Sequence, residues 1–147
     1  MAEVFARDLV ARDPLLATKV VVTSAGTARW HVGSEMDPRA RAALDRAGLV
    51  GPGSPATFAD AQFLDAQDLV LAMSREHVSE VRSRLRNERT SVLLYRDLLE
   101  PGLGLEVADP YYGTDHDFNE CLSLLRKSGP RLREEFRRRL DEDWPEV

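Results

Sequence analysis

The sequence predicts an α/β fold, a small parallel sheet with helices on both faces. Three observations lead there. Short β-branched apolar runs alternate along the chain with stretches whose apolar residues recur at helical spacing. The runs at 19–24, 69–73 and 91–95 are nearly continuous in apolar residues, as strands buried on both faces are. Each pair of runs is separated by enough chain for a helical crossover, which parallel strands require.

The opening residues 2–12 read as a helix, with Ala2, Phe5, Ala6, Leu9 and Val10 at helical spacing. Asp13-Pro14 ends it. Lys19 to Ser24 reads as a buried strand, and Ala25-Gly26-Thr27 turns out of it. Trp30, His31 and Gly33 lie in the loop that follows. Asp37-Pro38 is a helix start, with Asp as cap and Pro in the first turn, and Gly48 is the stop after Ala47. Gly51 to Pro55 is a loop and 58–64 a short helix. After the strand at 69–73, Ser74 caps a helix with Val78, Val81 and Leu85 as its apolar stripe; Arg82, Arg84, Arg86 and Arg89 read as its solvated face. The strand at 91–95 leads through a loop to Asp109. A last helix carries Phe118, Cys121, Leu122 and Leu125 on one face. Gly129-Pro130 is expected to interrupt or kink it, with Leu132, Phe136 and Leu140 continuing the spacing. A single domain over 1–140 with a charged tail at 141–147 is the expected organisation. The opening helix has no strand ahead of it, so the pattern begins one strand late.

Composition bounds the function. The 147 residues are 43% hydrophobic and 31% charged, as in a soluble globular chain. The net charge of −5, with no basic arm, argues against a general nucleic-acid binder. No apolar run approaches the ~20 residues that span a bilayer, and the first residues do not read as a secretory signal. One cysteine, Cys121, excludes an intrachain disulfide and suits a reducing cytoplasm. His31, His77 and His116 lack metal-ligand spacing, so neither metal nor cofactor is expected.

Ala108-Asp109-Pro110-Tyr111-Tyr112-Gly113 carries the most chemistry. Pro110 fixes its own φ and biases Asp109 toward extended backbone. A held carboxyl beside two phenols suits protonation of a leaving group; the alternative is an ordinary surface turn.

Several segments together resemble one family. Val22-Thr23-Ser24-Ala25-Gly26-Thr27, Trp30-His31-Val32-Gly33, Met36-Asp37-Pro38-Arg39-Ala40, Asp68 to Met73 and Asp109-Pro110-Tyr111-Tyr112-Gly113 stand in the order and spacing of the low-molecular-weight protein tyrosine phosphatases, from Met1 to about Leu125. The resemblance implies a phosphotyrosine-phosphatase-like three-layer fold and a phosphocysteine mechanism. Asp109 would be the general acid, and Trp30, Tyr111 and Tyr112 would stack on an aryl phosphate. It implies as partner a phosphotyrosine-containing protein or a small aryl phosphate, with no nucleic acid and no membrane.

The family also places a strand and a cysteine–five residues–arginine loop ahead of a helix beginning Met-Ala-Glu, the triplet at Met1-Ala2-Glu3 here. That loop is absent from these residues. After five intervening residues Cys121 is followed by Lys127 rather than arginine, and 122–126 has no glycine and reads as helix. Ser54-Pro55-Ala56-Thr57 stands where the family often has His-x-Ala-Arg, and Ser74 where an acid often follows the strand's methionine. The expectation is an N-terminally truncated phosphatase whose present residues are inactive alone. The alternatives are a catalytically dead binding relative and, with one cysteine, less readily an arsenate reductase relative.

Overall fold

A computed structural model of the chain describes residues 1–143. Two compact units interleave in the sequence. The first gathers Met1–Thr23, Asp37–Gly53 and Pro110–Val147; the second gathers Ser24–Met36 and Ser54–Asp109. Of the expected tail at 141–147, residues 144–147 lie outside the described residues. Residues 141–143 are helical.

The first unit is helical: α1 (Ala2–Ala11), α2 (Leu16–Lys19), α3 (Pro38–Arg46) and α6 (Asp115–Asp143). α1 and α3 both pack on α6. The stripe expected on the first helix is the buried one, with Phe5, Ala6, Leu9 and Val10 inside. Across from it, α6 buries Phe118, Leu122, Leu125 and Leu132. Glu3 is also buried and is paired with Arg7 one turn on.

Asp13 ties the N-terminal helices to the last one. Its buried carboxylate accepts from the amides of Leu15 and Leu16, capping α2, and from Arg137 Nη2 at 2.8 Å. Burial pushes its pKa up. The two amides and the Arg137 charge outweigh that, and the carboxyl is held below its ordinary value.

Two expectations need correction in this unit. Residues 19–24 are not a strand. Lys19 closes α2, and Val20 to Ser24 belong to no ladder among the described residues. Val20 is extended (φ −109°, ψ 125°), as its β-branched side chain favours, but Val21 is 87% exposed. Gly129-Pro130 does not interrupt the last helix: α6 continues from Asp115 to Asp143 with Pro130 inside it. The burial of Leu125 and Leu132 on either side holds the helix across the bond that proline deletes. Gly129 avoids a tight contact there. A Cβ would come within 3.2 Å of Phe5 Cζ and 3.3 Å of Leu9 Cδ1.

The second unit holds the sheet. β1 (Leu69–Ala72) and β2 (Ser91–Leu94) run parallel, with Leu69 opposite Ser91 and Ala72 opposite Leu94. α5 (Arg75–Arg84) is the crossover between them, and Ser74 caps it by accepting from the His77 amide. α4 is Ala61–Asp65, three residues later than expected at its start, because Asp60 is its cap. Phe58 instead bridges Gly26. Val92 and Leu94 are buried. In β1 only Ala72 is buried, so this strand is not the fully covered one its sequence suggests. Ala59, Leu64, Val81 and Val92 form the core, with Phe63, Val70, Val78 and Leu85 against it. The α/β expectation therefore holds with a sheet of two strands rather than three among the described residues.

Candidate functional site: the Asp-Pro-Tyr-Tyr-Gly segment and its arginine

Pro110 to Gly113 form a turn, closed by the Gly113 amide donating to the Pro110 carbonyl at 2.9 Å. The fixed φ of proline suits its place at the start of that turn. Thr114 follows, immediately ahead of α6. The Asp117 carboxylate accepts from the Thr114 amide at 2.6 Å and from its hydroxyl at 2.9 Å, half of a capping box. The Thr114 amide and hydroxyl hold the Asp117 carboxyl below its ordinary value. Gly113 lies so close to this cap that a Cβ would meet Asp117 Cβ at 2.8 Å.

Arg39 holds the same turn from α3. Its Nη2 donates to the Tyr111 carbonyl at 2.8 Å and its Nη1 to the Gly113 carbonyl at 3.1 Å. The guanidinium also grips Asp37 with Nε at 3.1 Å and Nη2 at 2.8 Å, a two-point fork. Its carbon lies 4.8 Å from the centre of the Phe118 ring and 5.8 Å from that of Tyr111. Asp37 separately caps α3 by accepting from the Arg39 amide at 2.8 Å. The Arg39 guanidinium and amide hold the Asp37 carboxyl at about 2, against an ordinary 3.8.

A depressed carboxyl contributes stability that is complete above its unfolded pKa and is lost as pH falls through the folded one. Wild type minus Asp37→Asn, compared by urea midpoint, should give a constant difference above about pH 4. That difference should shrink between about pH 4 and pH 2. A difference that stays flat down to pH 2 would refute the pairing.

The residues expected to do chemistry are placed as follows. Asp109 is exposed and belongs to the second unit by its sequence position. Tyr111 and Tyr112 belong to the first, 46% and 95% exposed, with ring centres 5.0 Å apart and planes at 88°. The two phenol rings are thus an edge-to-face pair. Trp30 is 85% exposed in the second unit, on a loop whose backbone is tied to 56–58. There the Gly26 amide donates to the Thr57 carbonyl, Gly33 to Ala56, and Ala56 to Ser34. Ala56 and Thr57 therefore support that loop through main-chain bonds. Cys121 lies in the interior of α6, half-buried, its amide in helical register.

Sequence reasoning passed over Arg39 and Arg84. Arg84, expected on a solvated face, donates to the carbonyls of Ala59 and Thr27, pairs with Glu80, and lies 4.9 Å from the Phe58 ring centre. Arg29 stacks on the same ring at 3.9 Å. For Arg39, the available signal was its place two residues after a capping aspartate, where its fork can reach back.

The family model for low molecular weight phosphotyrosine protein phosphatase matches residues 1–142. The chain belongs to that family. The low molecular weight protein-tyrosine phosphatase A of Mycobacterium tuberculosis is 36% identical over 149 aligned residues, covering 99% of this chain and 88% of that protein. Among solved structures, a protein tyrosine phosphatase from Entamoeba histolytica with Hepes in its active site superposes with a TM-score of 0.82 at 22% identity. It covers 93% of this chain and 87% of that one. Wzb of Vibrio vulnificus in complex with benzylphosphonate gives 0.76 at 16%, covering 91% and 87%. At these identities the structural matches speak for the fold. The low-molecular-weight phosphatase assignment itself rests on the family model and the mycobacterial relative. Among the described residues no helix is long and apolar enough to cross a membrane.

Proposed function

We propose that these residues carry the general-acid portion of a protein tyrosine phosphatase, with Asp109 as the acid, and that alone they turn over no aryl phosphate. The observation that carries this is the Asp109-Pro110-Tyr111-Tyr112-Gly113 segment, closed as a hydrogen-bonded turn, in a chain of this family. A thiolate attacks phosphorus and the bond from phosphorus to the aryl oxygen breaks. The Asp109 carboxyl passes its proton to that departing oxygen. The carboxylate left behind accepts a proton from the water that then attacks the phosphocysteine, releasing phosphate and thiolate. Trp30, Tyr111 and Tyr112 are the proposed stacking residues for a phosphotyrosine side chain or small aryl phosphate. A reducing, cytoplasmic setting suits the thiolate chemistry.

The nucleophile is what the 147 residues do not supply. Cys121 is the sole cysteine and has Lys127, not arginine, after five intervening residues. Its neighbours' amides are committed to α6, so they cannot cradle three phosphate oxygens. Purified as the 147-residue polypeptide, the protein should therefore give no p-nitrophenyl phosphate hydrolysis above the buffer rate. Turnover abolished by Cys121→Ser would sink this reading.

The missing cysteine–arginine loop also favours a second reading, a binding relative without catalysis. It requires the same polypeptide to hold a phosphotyrosine peptide at micromolar concentration, read by quenching of the exposed Trp30. No quenching above that of the unphosphorylated peptide removes it.

A further inference from the structure

Arg39 spends its guanidinium on a segment more than seventy residues away. Two of its hydrogen bonds go to the Tyr111 and Gly113 carbonyls. Neither helps the start of α3, which Asp37 already caps by accepting from the Arg39 amide. The fork to Asp37 sets the plane of the guanidinium, and its remaining N–H groups then point at the two carbonyls. The face of the group rests on Phe118 in the first turn of α6. The carbonyls it holds flank Tyr112 within a turn whose own closing bond is the single Gly113 amide to Pro110. The four residues of this turn are exposed or half-buried, so little burial helps to hold its shape.

We infer that Arg39 is the positioning residue of the acid segment: it clamps Pro110–Gly113, the turn that follows Asp109 directly in the chain. The inference rests on Asp109 being the general acid. Lysine cannot replace Arg39, because an ammonium has no planar fork to serve a carboxylate and two carbonyls together.

Site-resolved amide hydrogen exchange on the 147-residue chain tests it. In Arg39→Ala and Arg39→Lys the Gly113 amide should exchange roughly ten-fold faster or more, the factor that losing a charge-assisted hydrogen bond carries. The Leu125 and Leu132 amides in the buried part of α6 should keep their rates. Asn119→Ala removes the 3.3 Å contact from Arg46 in the same unit and should leave Gly113 unchanged. An unchanged Gly113 rate in both variants overturns the inference. So does a rise that α6 shares in equal measure, because that reports a structural loss. If Arg39→Ala does not fold, Arg39→Lys decides, since it keeps the charge and the aliphatic stem. The outcome is separable from that of the general-acid reading. If Asp109 fails its own kinetic test while Gly113 still responds, the clamp stands and only its catalytic purpose falls.

Discussion

Replacing Asp109 with Asn should cost a complete phosphatase about 10²–10⁴-fold in kcat toward phenyl phosphate. The measurement needs a nucleophile, so it is made on a fusion that places an apolar strand and a cysteine–five residues–arginine–serine loop ahead of Met1. Phenol leaves poorly, with a pKa of about 10, and the transition state needs a proton at the departing oxygen. Asn keeps the size of Asp and has no proton of the right acidity to give. p-Nitrophenolate leaves more readily, so with that ester the same substitution should cost much less. The leaving-group contrast is the decisive readout. Equal losses on both esters would mean that Asp109 shapes the segment rather than donating the proton.

Leu132→Ala should remove about 2–5 kcal/mol from the stability of the 147-residue chain. Leu132 is 1% exposed and lies on α6, just beyond Pro130. Its loss leaves a cavity on the helix that α1 and α3 pack against. Proline has deleted one backbone bond of the helix, so this stretch depends more than an ordinary helix on its side-chain burial. Urea denaturation followed at 222 nm gives the value. A loss under about 1 kcal/mol would show that the packing collapses around the gap or that α6 is not held by it.

The contrast between Pro130 and Val20–Ser24 shows what could be learned from sequence. Apolar spacing at Leu122, Leu125 and Leu132 described the buried face of α6 correctly. The local signal at Gly129-Pro130 opposed it, and tertiary burial prevailed. At Val20 the local signal was right about an extended backbone, but the run to Ser24 implied a ladder partner that propensity cannot supply. The turn at Pro110–Gly113 was legible because proline and glycine act on their own backbone. Arg39 was not, because a charged side chain in a sequence gives no direction. Its carbonyl partners lie far along the chain, and no spacing rule links them.

The two units finish synthesis at different times. The residues of the sheet-containing unit are all made once Asp109 is added. The helical unit is not: Phe5 and Leu9 wait for Gly129, and Asp13 waits for Arg137. On the ribosome, at ~5–20 residues per second, α1 spends several seconds with its apolar face uncovered. Closing so long a loop adds an entropic cost that grows only slowly with its length, so the delay falls mainly on rate. The apolar face of α1 thus needs shielding in the nascent chain, and α6 is the element that ends that need.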